Sequence, residues 1–483
     1  MQSDAQQLSV LSLNCWGLKF VSKQRQFRLR AIGDAVSQQE YDIVTLQELW
    51  VSQDYEYIKS RVADNLPYSK YFYSGALGSG LAIFSRYPII SSSYLRYSLA
   101  GRPLKIFHGD FYVGKGCGSA CIEHPTIGIL EVFTTHLHAG YGKIDEYEGH
   151  RVSESWELAN LLRTSAAQGR QVIATGDFNS IPTSYNYALL KDHAFMTDSW
   201  LETHESSLEE SMRQFQQNQI HGRDCIHHFG ITCDSPENSW SKHFLKQQAR
   251  DKNIGDRLDY IFYRRTPELS CISSNVAFTD FIANTHMCYS DHFAVHSIFS
   301  CQSNASAMGN NIAPQCSQLT RPTFSRISPI IVRDIINLLH RDHVATRRKA
   351  NILLGWLVTC VFLILALYAV MIVVPIYYAS DDRREMIATI LAVFGGFLMI
   401  LCAAAAPICL IVGFVCGHTE QRALQQFVVE LRTFLSGLPN NDGLAAQRNV
   451  NPHSSRDLIT VDSPQFNLRH PSTEESEPLL MNV

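Results

Sequence analysis

Carboxylates, amides and imidazoles standing at the ends of apolar runs can hydrolyse a phosphate ester, and this 483-residue chain carries them repeatedly. Val172, Ile173 and Ala174 read as a buried strand broken at Gly176, which leaves Asp177 and Asn179 at its tip. Leu8 to Leu13 ends in Asn14, Asp42 to Leu46 leads to Glu48, and Ile129 to Thr135 ends in His136. Asp259 lies inside the run from Arg257 to Tyr263, and Asp291-His292 opens Phe293 to Phe299. Polar residues placed in this way imply one rim of a sheet and one shared site.

Phosphodiester hydrolysis needs a hard cation on the phosphate oxygens, a base for water, and donors aimed at the charge developing on phosphorus. Glu48 with Asn14 offers oxygen ligands suited to Mg2+, a cation that keeps several waters and takes one or two carboxylates. His292 is the natural base, with Asp259 fixing its tautomer. Asp177 and Asn179 are placed to position water and bind a phosphoryl oxygen, and His136 to donate to a non-bridging oxygen or to the leaving group. No GxSxG motif is present, so direct attack by water is the simpler expectation. Each residue alone has a plainer reading: Asp or Asn at a strand end as a turn-former, Asp259 as a strand partner of Arg257, His138 as a hydrogen-bonded core group. Their joint occurrence carries the inference.

Gly109-Asp-Phe-Tyr-Val-Gly-Lys-Gly116 has P-loop spacing up to the lysine, but Gly116 stands where a Ser or Thr hydroxyl would meet Mg2+. ATP binding is therefore not expected. Lys115 and Asp110 either serve the site or form an exposed charge pair in a glycine-rich loop.

The elements that must position these groups are short β-rich runs alternating with helical pieces between residue 8 and about 300, with helices expected at Arg28–Ser37 and His150–Arg163. The pattern predicts an α/β fold of two packed sheets covered by helices. Ser206–Glu237, rich in Gln, His, Ser and Asp, reads as a flexible surface insertion. The net charge of -4 offers no basic excess for a nucleic-acid partner. The 13 cysteines lack CxxC pairing and suit reduced thiols in a cytosolic compartment. The polar Met1–Gln7 is not a signal peptide.

Beyond the expected catalytic domain at 1–300, residues 301–350 read as a linker followed by a short amphipathic helix at Ser328–His343. Ile352–Tyr378 and Met386–Cys416 are nearly free of charge and longer than the ~20 residues that cross a bilayer, so residues 351–417 are expected to form a two-helix transmembrane hairpin. Arg341, Arg347, Arg348, Lys349 and Arg422 flank the spans, against Arg383 and Arg384 in the short loop, which places the N-terminal domain in the cytosol. Asn304-Ala-Ser306 would then be an unused glycosylation sequon. Residues 418–438 read as an amphipathic helix and 439–483 as a disordered tail ending in an acidic dileucine pattern.

Leu13-Asn-Cys-Trp-Gly17, Leu46-Gln-Glu-Leu-Trp50, Thr135-His-Leu-His-Ala139, Gly176-Asp-Phe-Asn179, Arg257-Leu-Asp-Tyr-Ile261 and Ser290-Asp-His292 together resemble the endonuclease/exonuclease/phosphatase superfamily, in its motif order. Within it the chain is similar to the neutral, magnesium-dependent sphingomyelinases with two C-terminal spans. The Asn-Cys-Trp-Gly stretch, Gly78-Ser-Gly-Leu-Ala-Ile-Phe-Ser-Arg-Tyr-Pro88 and His108-Gly-Asp-Phe111 carry that likeness. The resemblance implies a four-layered α/β sandwich of the DNase I type, Mg2+ on Glu48 and Asn14, and His292 as general base. It further implies Asp177 and Asn179 on water and phosphate, His136 at the transition state, Asp291 as a site carboxylate, and Asp110 with Lys115 in a loop that switches the site. The Gly116-Cys-Gly-Ser119 run and the insertion at 206–237 depart from the pattern and bear on substrate preference.

The expected activity is release of ceramide and phosphocholine from sphingomyelin at the cytosolic leaflet, with tethering raising the local concentration of a lipid substrate. Competing readings are a lysophospholipid-specific phospholipase C, a nuclease or inositol-phosphate phosphatase, and a silent membrane scaffold. Anionic lipids are candidate activators. The organelle (endoplasmic reticulum, Golgi, endolysosome or plasma membrane) and the oligomeric state stay open.

Overall fold

The computed structural model describes residues 6–141, 145–242, 244, 254–303, 325–377 and 384–438. The glycosylation sequon, most of the linker and of the loop between the spans, and the C-terminal tail with its dileucine pattern lie outside the described residues. Two compact units are present: Met1–Ala100 with Tyr112–Ile331 and Phe434–Val483, and Gly101–Phe111 with Val332–Thr433.

Period-two burial along the strands builds the first unit. In β1 (Gln6–Asn14), Leu8 and Val10 point to one face and Leu11 and Leu13 to the other. β1 joins β2 (Ile43–Gln47), β3 (Tyr68–Tyr71), β4 (Ala82–Ser85), β11 (Leu269–Ala277) and β12 (Ala294–Cys301) in a six-stranded sheet of order β11-β12-β1-β2-β4-β3. A second six-stranded sheet holds β5 (Ile89–Arg96), β6 (Gly116–His124), β7 (Gly128–His136), β8 (Gln171–Asp177), β9 (Thr197–Asp198) and β10 (Asp259–Tyr263), in the order β5-β6-β7-β8-β10-β9.

Leu8, Val10, Ile43, Ile83 and Phe299 of the first sheet pack on Ile122, Leu130, Val132, Ile173 and Ile261 of the second. The outer face of the first sheet is covered by α1 (Arg25–Ser37) and α2 (Ser52–Val62) through Leu29, Ile32, Val36 and Ile58. α3 (Asp110–Val113) is a single turn. α4 (Glu148–Ala167) covers the outer face of the second sheet through Leu158, Ala159 and Leu162. The result is the expected four-layered α/β sandwich. Polar pairs also cross between the sheets: Gln47 Nε2 donates to Thr134 Oγ1 at 3.0 Å, and Thr175 Oγ1 to Thr45 Oγ1 at 2.8 Å.

Two expectations need correction. Residues 206–237 are ordered: they continue α6 (Ser199–Gln216), which follows the short α5 (Tyr185–Ala188), and they form α7 (Asp224–Phe229). Asp198 caps α6 by accepting from the backbone of Trp200 and Leu201, and Ile220, Cys225, Ile226 and Ile231 bury against the fold, so a few well-spaced apolar residues anchor a polar stretch. The amphipathic segment at 328–343 is not separate either. With no glycine between Pro329 and Gly355 and no further proline there, it runs into the first apolar segment as one helix, α8 (Pro329–Tyr377).

In the second unit α8 and α9 (Glu385–Gly437) are each long and apolar enough to cross a membrane. Arg102 pairs with Glu420 at 3.0 Å, and Glu420 also accepts from Thr346 Oγ1 at 2.9 Å, which ties α9 to α8.

Candidate active site

Sheet register brings the distant motifs together. β1 and β2 run parallel with Asn14 opposite Gln47, so Asn14 and Glu48 emerge on one rim. β7 and β8 are parallel with His136 opposite Asp177, and β10 is antiparallel with Asp259 opposite Asp177. β12 starts just after His292 and pairs antiparallel with β1, Val295 opposite Ser12, which carries His292 to the same end.

Gly176 makes the β8 tip possible. Its φ is +139°, and a Cβ there would sit 2.0 Å from the carbonyl oxygen of Thr135 on the neighbouring strand. Glu48 and Asn179 adopt φ of 57° and 45°, left-handed values that cost free energy in a non-glycine residue and cluster at functional sites.

Asn14 Nδ2 donates to Asp177 Oδ2 at 2.9 Å and faces Glu48 Oε1 at 3.1 Å. His292 Nδ1 donates to Asp259 Oδ2 at 2.8 Å, and its Nε2 lies 3.8 Å from Asp177 Oδ2. Asp259 therefore serves the imidazole and is not a partner of Arg257, which pairs with Asp198 at 2.5 Å. Asn179 donates its backbone N–H to Asp177 Oδ1 at 2.9 Å and its amide to Leu137 O at 3.0 Å. Lys115 Nζ donates to that same carbonyl at 2.8 Å. His136 Nε2 lies 3.6 Å from Asp177 Oδ2. Asp291 accepts from Ser290 Oγ at 3.2 Å and acts electrostatically on Glu48. Asn14, Asp177 and Asp259 are fully buried, whereas Glu48, Asn179 and Asp291 are half-buried.

Lys115 and Asp110 are both buried, which rules out the exposed charge pair. Asp110 opens α3 in a stretch grouped with the second unit. Lys115 is followed by strand β6, not by the helix that a P-loop requires. His138 is fully buried with Nδ1 2.7 Å from Ala139 O, a core group as its plainer reading had it.

Burial raises the Glu48 carboxyl above the usual range and the nearby Asp291 raises it further. Burial, then Asp259, pushes Asp177 up to about 6. Burial holds His136 well below the ordinary imidazole value, with Lys115, His292 and His138 adding to it, so His136 is neutral. Burial opposes charge on His292, but Cys233, Asp259 and Asp177 outweigh it and hold the ring well above its ordinary value.

Buried acids short of positive charge are what a divalent cation relieves. Among the described residues Glu48 has Asn14 and, at 3.5 Å, Trp50 Nε1 as donors, and no basic side chain at ion-pair distance. Asp177, Asp259 and His292 also present ligand atoms within 4.8 Å of one another. In that second group the imidazole–carboxylate hydrogen bond already occupies Nδ1 of His292, while Glu48 offers a carboxylate oxygen of the kind a hard cation prefers, with the Asn14 amide beside it.

Three further residues emerge only from the fold. Thr232 Oγ1 accepts the backbone N–H of Asp259 at 3.1 Å, and Cys233 Sγ lies 3.5 Å from His292 Nε2, both from the stretch expected to be a surface insertion. Arg28 is fully buried, donates to the carbonyls of Cys15, Trp16, Lys23 and Tyr289, and lies 4.6 Å from the Trp16 ring. It clamps the loop after Asn14 to the loop before His292. Nothing in Arg25-Gln-Phe-Arg-Leu-Arg30 distinguishes it from its surface neighbours.

Residues 11–292 match the Endonuclease/Exonuclease/phosphatase family. The chain belongs to that family. It is 34% identical over 431 residues, 89% of this chain and 94% of the relative, to an inositol phosphosphingolipids phospholipase C of Schizosaccharomyces pombe. It is 32% identical over 291 residues, 60% of this chain and 63% of the relative, to sphingomyelin phosphodiesterase 2 of Homo sapiens. The crystal structure of SmcL is similar at 16% identity and a TM-score of 0.43, covering 61% of this chain and 99% of that chain.

Proposed function

We propose that this family member is a Mg2+-dependent phospholipase C-type phosphodiesterase that cleaves sphingomyelin to ceramide and phosphocholine at the cytosolic leaflet. The observation that carries the reading is the His292–Asp259 hydrogen bond of 2.8 Å, set on the rim that also holds Glu48 and Asn14. The relatives' names supply the substrate class, since both act on sphingolipids that carry a phosphodiester.

Asp259 keeps Nδ1 protonated, so once the ring gives up its other proton, Nε2 is the atom that accepts from water. Asp177, 3.8 Å from that nitrogen, orients the attacking water toward it. Asn179 and Lys115 both donate to the carbonyl of Leu137, the residue after His136, and their remaining N–H groups bind phosphoryl oxygens. Neutral His136 keeps an N–H to donate to a non-bridging oxygen or to the departing ceramide oxygen. Mg2+ held by Glu48 and Asn14 would supply the charge that neutralises the phosphate. Asp291 adds negative charge beside Glu48, and Lys115 offsets part of it.

A second reading, an inositol-phosphate headgroup on the same lipid class, is favoured by the alignment to the fission-yeast relative, which covers 89% of this chain. A substrate panel separates the two. Purified full-length chain in detergent micelles with Mg2+ is expected to release phosphocholine from sphingomyelin. Release from inositol phosphosphingolipid or from a lysophospholipid in its place would contradict the choline reading. The long apolar helices α8 and α9 provide the anchor, and the basic residues flanking them support a cytosolic first unit.

A further inference from the structure

The rim that carries Asn14 and Glu48 also carries two apolar loop tips. The first lies between Asn14 at the end of β1 and α1. Its turn, closed by Ser22 N–H to Leu18 O at 3.0 Å, lifts Phe20 and Val21 to 93% and 65% exposure. The second joins β3 to β4. Because β4 runs antiparallel to β2, with Ala82 opposite Leu46, this loop returns at the end where β2 delivers Glu48. Its tip exposes Tyr73 and Leu77, at 76% and 52%. The loop is pinned beside the site, since Leu49 N–H donates to Gly80 O at 2.9 Å and Tyr71 Oη to Trp50 O at 3.1 Å.

Exposed aromatic and aliphatic side chains cost free energy in water, and apolar tips grouped on the rim that carries the site mark a surface meant for something apolar. The charges around them say what it is. From Cys15 to Arg30 the chain has no acidic residue, and Lys19, Lys23 and Arg30 are solvent-exposed. Lys19 Nζ lies 5.0 Å from the centre of the Phe20 ring. Apolar side chains flanked by ammonium groups match the bilayer interface, where rings enter the acyl boundary while cations meet phosphate.

The geometry points to a membrane-docking rim: Phe20, Val21, Tyr73 and Leu77 insert shallowly into the bilayer, with Lys19 and Lys23 on anionic headgroups, and turn that rim toward the lipid. This rests on the lipid-substrate reading above and adds a device separate from the helical anchor. A tether raises local concentration but does not orient the site. Docking does.

The full chain reconstituted in vesicles of phosphatidylcholine and sphingomyelin, with and without phosphatidylserine, tests the rim. Trp emission of Phe20→Trp is expected to be quenched by acyl-brominated lipids beyond the quenching of the unaltered chain, and more so with phosphatidylserine. The double change Phe20→Asp with Leu77→Asp is expected to lower hydrolysis of bilayer sphingomyelin by about 10-fold or more. It should leave hydrolysis of water-soluble bis(4-nitrophenyl) phosphate unchanged. Absence of added quenching in Phe20→Trp, or an equal effect of the double change on both substrates, overturns the rim. If the unaltered chain cleaves the soluble diester but not sphingomyelin, the substrate reading fails, and quenching alone then decides the docking.

Discussion

Asn14 on one sheet donates through Nδ2 to Asp177 on the other at 2.9 Å, and the same nitrogen faces Glu48 at 3.1 Å. One fully buried amide thus joins the two acids, Asp177 and Glu48, and spans the seam between the sheets. Its carbonyl oxygen is not idle, since it accepts the backbone N–H of Trp16 at 3.0 Å and fixes the turn that leads to Arg28.

Asn14→Ala removes a donor from two acids at once. Leaving buried acceptors unpaired costs about 1–3 kcal/mol, so the melting temperature is expected to fall along with turnover. Denaturant titration in detergent beside a phosphodiester assay checks both. A variant with unaltered stability and rate would show that the amide couples nothing.

Asp259→Asn keeps the shape of the pair but removes the carboxylate that orients and charges His292. Turnover is expected to drop about 10²- to 10⁴-fold with KM little changed. Asp259 raises the imidazole's proton affinity, so its loss moves the acid limb of the pH–rate profile to lower pH. An acid limb unmoved by the substitution would place the base elsewhere.

Asp177, raised to about 6, and His292, raised well above its ordinary value, both bind protons more tightly in the folded chain than in the unfolded one. The metal-free protein is therefore expected to lose stability as pH rises, first through about 6 as Asp177 ionises and then through the elevated imidazole value. A divalent cation favours the ionised acids, so Mg2+ should flatten this slope in the unaltered chain and not in Glu48→Gln. Thermal melts across pH, with and without Mg2+, read the slope directly.

Gly176→Ala forces a Cβ to 2.0 Å from the Thr135 carbonyl at a φ of +139°, next to Asp177. The neighbouring backbone must shift. A loss of several kcal/mol, on the order of the overpacking and strain costs combined, is expected as a lowered unfolding midpoint.

Strand-tip residues were legible because a polar group after a short apolar run has only the sheet rim to occupy. Asn14, Glu48, His136 and Asp177 each announce themselves in this way, and the parallel pairings β1–β2 and β7–β8 deliver them. Thr232 and Cys233 were hidden because they lie in a polar stretch whose few anchors, Ile226 and Ile231 among them, are too sparse to give a period. Arg28 was hidden for the opposite reason: it sits on an arginine-rich helix where only the fold shows which guanidinium turns inward. The helix through 329–377 merged two segments because a change in hydropathy is not a change in backbone.

The most direct measurement is phosphocholine and ceramide release from sphingomyelin in mixed micelles by the purified full-length chain with Mg2+, set beside His292→Ala. Release by the unaltered chain, loss of that release when Mg2+ is chelated, and loss in the variant are expected. No release by the folded, Mg2+-loaded chain, or equal release by His292→Ala, would contradict the proposed function.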